Sequence, residues 1–262
     1  MNAKRIWSWF VVAISAFYFI MPLVATFEFS MRMRRGEYSF DAYRSVLSDQ
    51  QFASTFGYSV GMALITIVMN SLLIVPTAYW VRLRMPQLRP VIEFVTLLPL
   101  VIPSIVVVFG YLRLYNSSSF LPFTNSDTGT NILLVFGFME MSLPYMYRSV
   151  DTAMRTIDVN VLTEAAESLG AKWHTILFRC IFPNVLTGVL SGAFISFAIA
   201  VGEFTMPSLL NRPAFGPYLA LIGANKAYEP PALAIIAFAM TWISIILINI
   251  TTRLQKGAAG AR

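Results

Sequence analysis

The chain has 262 residues, of which 57% are hydrophobic and only 12% are charged, and its formal net charge at pH 7 is +6. Soluble domains carry roughly a quarter charged residues, so this composition excludes an ordinary water-soluble protein and predicts an all-α integral membrane protein. The positive balance does not indicate a nucleic-acid partner, because no basic surface is interleaved with aromatic residues and the cations cluster at the ends of apolar segments.

Six apolar segments are long enough to cross a membrane as helices, and the length of the chain suits a single transmembrane domain over residues 1–262. These spans are predicted at about residues 6–27, 57–80, 91–113, 131–147, 184–203 and 232–251. The first follows Lys4 and Arg5 as a signal peptide would, but its apolar run exceeds the roughly 7–15 residues of such a peptide. We therefore expect an uncleaved helix. The third span contains Pro99 and Pro103, one helical turn apart.

The lysines and arginines predict the orientation of the bundle, because cytoplasmic segments of membrane proteins are enriched in them. With the N-terminus inside, the cytoplasmic segments hold 12 of the 19 basic residues and the outer segments hold 7. The outer loop "SMRMRRGEYSF" works against this bias, and its role stays open. We expect both termini to be cytoplasmic.

The cytoplasmic segment of about residues 148–183, between the fourth and fifth spans, is rich in charge and in helix-forming residues. Asp158 is positioned to cap a helix that Gly170 ends. The apolar face of this helix is predicted to consist of Leu162, Ala165, Ala166 and Leu169. The opposite face is predicted to carry Thr163, Glu164 and Glu167.

A second helix is predicted directly after Gly170, and Pro183 marks the entry to the fifth span. Its apolar face is predicted to consist of Trp173, Ile176, Leu177, Cys180 and Ile181, with Lys172 and Arg179 off that face. Two such short helices have too little apolar material to form a core of their own. The residue pattern alone is equally typical of a solvated connector at the membrane surface and of a contact for a partner.

This segment resembles the signature of permease subunits of binding-protein-dependent ABC importers. That signature is EAA, three residues, glycine, nine residues and then Ile-x-Leu-Pro. The sequence has Glu164-Ala165-Ala166, then Gly170, and nine residues later Cys180-Ile181-Phe182-Pro183, so Cys180 and Phe182 stand where isoleucine and leucine are usual. The stretch "YMYRSVDTAMRTIDVNVLTEAAESLGA" is similar to permeases of the spermidine/putrescine type, in a group that also serves opines and iron. The resemblance covers about residues 55–250.

The resemblance implies the six-span type I importer fold in a bacterial inner membrane, with a loop that docks on a cytoplasmic ATPase as coupling helices. The implied ATPase-coupling residues are Glu164, Ala165, Ala166, Gly170 and Pro183. Within this loop, Glu164 would pair with a basic group of the ATPase. The implied partners are a second permease subunit, expected to be a different chain, two ATPase subunits and an extracytoplasmic solute-binding protein, beside membrane lipid.

The sequence contains no G-x-x-x-x-G-K-[ST] phosphate loop, catalytic triad or cluster of metal ligands. Its single cysteine, Cys180, and its single histidine, His174, do not build a metal site together. We therefore expect a permease subunit that is not an enzyme and holds no cofactor, with ATP and Mg²⁺ bound by the partner ATPase.

Charged and aromatic residues within the spans are candidates for the substrate pathway. Glu140, in the fourth span, is interpreted equally as a pore-facing acid and as a structural hydrogen-bonding group. Glu203, near the outer end of the fifth span, is placed to meet arriving substrate. Tyr111 and Tyr145 offer rings to a cation, although Tyr145 is equally typical of an interfacial belt.

These acids and rings favour a cationic substrate, and a polyamine such as putrescine or spermidine is the leading candidate. An opine, an amino-acid-like compound, ferric iron, a phosphonate or thiamine stays open, because specificity in such importers rests largely on the separate binding protein. An ion-driven secondary transporter is the alternative from another class. It would need no ATPase, and no internal repeat favours it.

Overall fold

A computed structural model describes residues 3–240 together with Trp242, Ile243 and Ile246, and in these residues the regular structure is helical apart from one isolated bridge between Arg34 and Glu37. This confirms the prediction of an all-α protein. The chain divides into two compact units, Met1–Ala53 with Tyr218–Leu247 and Ser54–Pro217 with Ile248–Arg262. The interpretation of residues 1–262 as one domain stays a prediction.

The helices are α1 (Ala3–Ser30), α2 (Asp41–Leu47), α3 (Gln50–Arg84), α4 (Arg89–Leu97), α5 (Ser104–Leu114), α6 (Asp127–Arg155), α7 (Val159–Ser168), α8 (Trp173–Thr175), α9 (Phe182–Gly202), α10 (Thr205–Leu209), α11 (Phe215–Asn225) and α12 (Glu229–Met240). Short 3₁₀ turns cover Pro86–Leu88, Leu98–Leu100 and Phe123–Asn125, and a π-helical turn covers Ile176–Ile181.

Three of the described helical segments are long and apolar enough to cross a membrane: Trp7–Ser30, Gln50–Arg84 and Trp173–Gly202. They contain the second predicted span and nearly all of the first and the fifth. The fourth predicted span lies in α6, a 29-residue helix outside this apolar group. The sixth begins in α12 and continues into residues outside the described part. The count of six spans therefore stays a prediction.

The third predicted span is not one continuous helix. Pro86–Leu100 and Ser104–Leu114 meet at an angle of 93°, and together they form either a broken span or a re-entrant loop. The backbone at Pro103 is extended, with φ −62° and ψ 141°. Proline lacks an N–H and disfavours a helical conformation in the residue before it, so Pro99 and Pro103 together end one helix and start another.

In the larger unit, the core lies where α6 and α9 cross, near their cytoplasmic ends in the predicted orientation. Its fully buried apolar residues include Tyr79, Met146, Val150, Met154, Ile176, Leu177, Ile181 and Val185. The crossing is close because α9 presents Gly188 and Gly192 one turn apart. A Cβ atom on Gly188 would lie 2.5 Å from the Cβ of Ala153 and 2.6 Å from the carbonyl oxygen of Ser149. Small residues let helices in membranes approach in this way.

An ionic cluster joins the ends of α3, α4 and α6 beside this core. The carboxylate of Asp151 accepts hydrogen bonds from Arg89 at 3.1 Å and from Arg155 at 2.8 Å. Arg82 approaches the same carboxylate to 3.8 Å, and Arg89 also binds Glu93 at 2.9 Å. The cluster fixes the start of the bent pair against the last turns of α6, from which the chain continues into α7.

In the smaller unit, the hydroxyl of Tyr218 donates a 2.8 Å hydrogen bond to the carboxylate of Asp49. This bond, together with one from the N–H of Gln51, holds the pKa of the Asp49 carboxyl below its ordinary value. The ring of Phe29 stacks on Tyr228 with centroids 5.1 Å apart. These contacts tie the end of α1 and the start of α3 to the segment after Tyr218.

Candidate functional site

The helix that carries the EAA residues is α7, and both of its ends are capped as the sequence predicts. The carboxylate of Asp158 accepts a 3.1 Å hydrogen bond from the N–H of Val161, which satisfies an N–H that has no partner within the helix. Asp158 also has the extended backbone of an N-cap residue. The predicted N-cap is therefore confirmed.

Gly170 ends α7 in the left-handed conformation, with φ +77°. The N–H of Gly170 donates to the carbonyl of Glu167 at 2.8 Å, and the N–H of Ala171 donates to that of Ala166 at 3.0 Å. This pair of bonds is the Schellman motif, in which glycine is preferred because its backbone adopts positive φ without a steric cost. The predicted role of Gly170 as a C-terminal cap is confirmed.

The predicted apolar face of α7 is confirmed for Ala166, which is buried, and for Leu162, which packs against the core, but not for its other two residues. Val159, Thr163 and Ala166 are buried, whereas Ala165 is exposed and Leu169 is 89% exposed. Thr163 was predicted to face outward, but its hydroxyl donates to the carbonyl of Val159 at 2.7 Å and lies 3.2 Å from the hydroxyl of Tyr79. Because its hydrogen bonds are satisfied, this polar side chain is buried at little cost.

The outward face of α7 is an exposed surface of mixed character. It carries the apolar side chains of Val161, Ala165 and Leu169 beside the carboxylate of Glu164. Within the described residues, that carboxylate forms no ion pair or side-chain hydrogen bond. The neighbouring Glu167 approaches Arg84 to 3.9 Å, with both side chains exposed. We call Val161, Glu164, Ala165 and Leu169 the outward face of α7.

The second predicted helix does not exist as a separate element. The short helix α8 continues through the π-turn Ile176–Ile181 directly into α9, and the N–H of Phe182 donates to the carbonyl of Leu177 five residues before it. Pro183 lies in the first turn of α9, so it marks the start of that helix as predicted. Proline has no N–H to give to a carbonyl four residues earlier, and the wider turn accommodates this loss.

The predicted apolar face of this segment is confirmed in part. Ile176, Leu177 and Ile181 are fully buried and Cys180 is partly buried, but Trp173 is 56% exposed. Trp173 is therefore an exposed apolar residue after Gly170, as Leu169 is before it, and it does not pack into the core.

Glu140 and Tyr111 lie near each other. Glu140 is partly buried in α6, and the ring of Tyr111 in α5 lies against Gly137, which precedes Glu140 by three residues in α6. The ring of Tyr111 also packs edge-on against Tyr115, with centroids 6.1 Å apart. Among the described residues, the Glu140 carboxylate has neither an ion pair nor a hydrogen bond. Its role in the pathway stays a prediction.

Glu203 has a local structural role that the sequence analysis missed. One of its carboxylate oxygens accepts from the N–H groups of Thr205 at 2.9 Å and Met206 at 3.1 Å, which caps the short helix α10. An acid just ahead of "TMPSL" is the signal that could have indicated this cap. The prediction that Glu203 meets substrate remains a separate one.

Tyr145 lies on an open groove of about 470 Å³ between α6 and α9. Its polar lining is made of Tyr145, Arg148, Ser149, Thr152, Thr156, Thr187 and Ser191. No carboxylate is among the described residues that line it. Hydroxyls and an arginine on adjacent helices are costly against lipid, so this face requires water or protein beside it. In the sequence, Arg148 is a signal of orientation, and the spacing of Thr187 and Ser191, four residues apart, is the signal that could have indicated a polar stripe.

No group of three or more metal-ligating side chains occurs between residues 3 and 240 or at the three further residues described. The chain is thus a helical membrane protein with long apolar helices and a surface helix anchored on the core. Residues 74–259 match the family described as "Binding-protein-dependent transport system inner membrane component". The chain belongs to this family. It is an inner-membrane, multi-pass permease subunit of a binding-protein-dependent ABC importer, it is not an enzyme, and its family carries no cofactor.

Two curated relatives and one solved structure show how far the similarity extends. The chain is 26% identical over 222 residues to the spermidine/putrescine transport system permease protein PotB of Haemophilus influenzae. The aligned region covers 79% of this chain and 75% of the relative. It is 28% identical over 193 residues to the molybdenum transport system permease protein ModB of Escherichia coli, covering 66% of this chain and 81% of the relative.

The structural similarity extends over nearly the whole chain. A chain of a bacterial ABC transporter involved in the import of the acidic polysaccharide alginate superposes with a TM-score of 0.70 at 14% identity, covering 95% of this chain and 96% of that one. This likeness shows the fold alone.

Proposed function

We propose that the chain forms half of the translocation pathway of an ATP-driven importer and that α7 transmits the movement of the ATPase subunits to the spans. The observation that carries this proposal is that α7 is buried on one face and exposed on the other. Its inner face, Val159, Thr163 and Ala166, is buried, and Thr163 contacts Tyr79 of α3. Its outward face leaves Glu164 and Leu169 exposed. A helix held rigidly on one side can pass a rigid-body displacement from a partner bound on the other.

The complete importer would contain a second permease subunit, expected to be a different chain, two ATPase subunits and an extracytoplasmic solute-binding protein. ATP and Mg²⁺ would be bound within the ATPase subunits. These subunits would dock on the coupling loop, whose coupling residues are Glu164, Ala165, Ala166, Gly170 and Pro183, with the buried Ala166 holding α7 on the core. The acid would pair with a basic group of the ATPase, which fixes the orientation of the contact. The exposed Leu169 and Trp173 would supply apolar contact area around that pair.

The coupling role is tested with Glu164→Arg in cells that carry the whole transporter. We expect uptake to fall at least tenfold, because the reversed charge repels the basic partner, and a loss of about 1.4 kcal/mol corresponds to that factor. Ser118→Arg, which adds the same side chain to an exposed loop far from α7 in sequence, is the control and should leave uptake unchanged. The ATPase subunits that co-purify with each variant are quantified alongside.

Gly170→Pro gives a second, independent change. Proline cannot adopt positive φ, so the end of α7 must rearrange while the spans still insert. Normal uptake by either Glu164→Arg or Gly170→Pro would refute the coupling role.

For the substrate, we infer that a small polar solute passes, with a polyamine as the first candidate. A partly buried acid, Glu140, on the same helix that the ring of Tyr111 packs against, suits a cation. The relative from Haemophilus influenzae, a spermidine/putrescine permease, supports the same assignment. An opine, an amino-acid-like compound or ferric iron would be recognised mainly by the binding protein and stays open.

A second candidate, an oxyanion such as molybdate or a phosphonate, is favoured by a different observation. The groove between α6 and α9 combines the cation of Arg148 with the hydroxyls of Ser149, Thr152, Thr187 and Ser191. Guanidinium and hydroxyl groups are donors that suit an anionic oxygen. The relative from Escherichia coli, a molybdenum permease, is consistent with this candidate.

Uptake of labelled putrescine, spermidine, molybdate and a phosphonate separates the two candidates when it is measured with Glu140→Gln and Arg148→Gln. Transport of a polyamine that Glu140→Gln lowers, and Arg148→Gln does not, supports the first candidate. Transport of an oxyanion with the opposite dependence supports the second. If none of the four solutes is imported, both candidates are wrong, and ligands of the binding protein become the next set to test.

A further inference from the structure

The basic loop between α1 and α2 folds into a compact turn at the end of the first apolar helix. We call residues 31–39 the basic hairpin. Arg34 and Glu37 form an isolated antiparallel bridge around Gly36, which has φ +85°. The N–H of Ser39 donates to the carbonyl of Met31 at 2.8 Å and closes the hairpin. The hairpin therefore has a defined backbone, which an unstructured loop would lack.

Side chains from α1 and from the segment after Tyr218 hold the hairpin in place. The hydroxyl of Tyr38 donates to the carboxylate of Glu28 at 3.0 Å, and Tyr228, which stacks on Phe29, borders the hairpin from the other side. Because these contacts lie at the last turn of α1, the hairpin begins where the apolar window of α1 ends. Either orientation of the chain puts it at a membrane interface.

A cavity of about 410 Å³ opens on the hairpin, lined chiefly by Arg32, Arg34, Arg35, Glu37, Tyr38 and Tyr228. Three arginines and one glutamate give this lining a net positive charge. Glu28 forms an ion pair with Arg32, and Asp41 forms one with Arg34. Each guanidinium has five N–H donors, so these acids hold the two side chains in position and leave donors for a further acceptor.

Arg35 differs from the other two arginines. It is exposed and forms no ion pair with any described residue. The three arginines line one cavity, where carboxylates hold two of them and Arg35 forms no ion pair with a described residue, so a single anionic group in the cavity is within their shared lining. Guanidinium groups bind the oxygens of phosphate with two parallel hydrogen bonds, which suits such an arrangement.

We propose that the basic hairpin binds the phosphate of an anionic phospholipid headgroup. The position of the site at the end of the first apolar helix, where headgroups of the bilayer lie, favours a lipid. The hairpin follows the last residue of the first apolar helix, and exposed Met33, Tyr38 and Phe40 flank its arginines. Aromatic and apolar side chains beside arginines are typical of the headgroup region of a bilayer.

The apolar window of α1 supports the same ligand. None of that window is buried within the chain, so acyl chains can lie along α1 while the headgroup reaches the cavity at its end. Retention of a lipid phosphate also gives a reason for three arginines in a loop that the orientation rule predicts to be poor in them.

The test uses the intact transporter in nanodiscs, made either from phosphatidylcholine alone or with one fifth phosphatidylglycerol. Phosphatidylglycerol that stays bound after transfer to detergent is measured by mass spectrometry. We expect Arg35→Gln to bind it roughly fivefold more weakly than the unchanged chain, because a basic residue near a membrane surface contributes about 1 kcal/mol. Arg35→Lys keeps the charge but loses the paired donors, and we expect an intermediate value.

Arg44→Gln is the matched control, since Arg44 lies in the nearby α2 but outside the lining of the cavity. It should retain phosphatidylglycerol as the unchanged chain does. Equal retention by Arg35→Gln and Arg44→Gln would overturn the proposal. The proposal would also be overturned if inorganic phosphate raised the thermal stability of the transporter as much as phosphatidylglycerol does, because the site would then bind a free anion. If Arg35→Gln instead weakens only the capture of the binding protein, the hairpin is a protein contact and the lipid assignment is wrong.

Discussion

Asp151 forms ion pairs that link α3, α4 and α6 at the ends that are cytoplasmic in the predicted orientation. Its side chain is only 13% exposed, and it faces Arg82 from α3, Arg89 from α4 and Arg155 from its own helix. One guanidinium nitrogen of Arg82 is buried and has no hydrogen-bond partner, so the nearby carboxylate is its nearest compensation. Removing one member of such a group leaves the others partly buried and without a countercharge.

We predict that Asp151→Asn destabilises the protein by about 3 kcal/mol, because three cations lose a shared negative charge of low exposure. In detergent, this corresponds to a decrease in Tm of roughly 6–12 °C for a chain of this size. The measurement is thermal unfolding of the purified permease followed by intrinsic fluorescence.

Glu167→Gln is the control for this change. Glu167 and Arg84 are 3.9 Å apart and both are exposed, so solvent screens their attraction, and a loss below about 1 kcal/mol is expected. If Asp151→Asn and Glu167→Gln unfold at the same temperature, Asp151 is not the structural centre that its geometry indicates.

Helices α6 and α9 pack closely against each other because α9 has glycines, which lack a side chain, where the two helices cross. The Cβ that Gly188 lacks would collide with backbone at Ser149 as well as with Ala153, so the neighbours cannot move away cheaply. At Gly192 the nearest atom is the flexible sulfur of Met146, which can adjust more easily. The two glycines therefore differ in how much a methyl group disturbs them.

We predict that Gly188→Ala destabilises the protein by about 1–3 kcal/mol through overpacking, and that Gly192→Ala costs less. Gly110→Ala is the control within a helix, since a Cβ on Gly110 meets nothing within 4 Å. It should be neutral or stabilise the protein by up to about 1 kcal/mol, because alanine favours helix more than glycine does. The ranking is measured by chemical or thermal unfolding, and an order in which Gly110→Ala is the most harmful contradicts the close crossing.

The elements also show what could be predicted from sequence and what could not. Asp158, Gly170 and Pro183 act through the backbone of adjacent residues, so their roles as caps and as a helix start follow from local sequence. The buried face of α7 could not be predicted by assuming that apolar residues turn inward. Thr163 is buried because Tyr79, 84 positions away, lies beside it, and Leu169 is exposed on a surface that a single chain leaves uncovered.

The same limit applies to contacts between distant segments. Pro99 and Pro103 indicate a break, but the 93° angle depends on packing that the two prolines do not encode. The cluster around Asp151 brings together side chains more than 60 positions apart, and the groove beside Arg148 needs the register of α6 against α9. Sequence periodicity reports only one helix at a time, so it carries no information on either.

At the scale of the whole molecule, the path of the chain through the membrane depends on the bent pair before α6. If Pro86–Leu100 and Ser104–Leu114 together cross the bilayer, the loop around Ser118 and the end of α7 at Ser168 lie on opposite sides, with α7 cytoplasmic. If the pair re-enters, both positions change sides while everything before α4 stays in place. A reversed orientation of the whole chain would move Ser118, Ser168 and the region before α4, which includes Ser48, to the opposite sides. Labelling at these three serines therefore distinguishes the possibilities.

We predict that Ser118→Cys and Ser48→Cys react with a membrane-impermeant maleimide in intact spheroplasts, and that Ser168→Cys reacts only after permeabilisation. The three serines are exposed, and the variants are made with Cys180→Ser to remove the one native thiol. The excess of lysine and arginine in the segments predicted to be cytoplasmic favours this pattern. Labelling of Ser48→Cys and Ser168→Cys without permeabilisation, but not of Ser118→Cys, would show that the pair is a re-entrant loop. Labelling of Ser168→Cys alone would invert the chain, and α7 would then lie on the side where no ATPase can reach it.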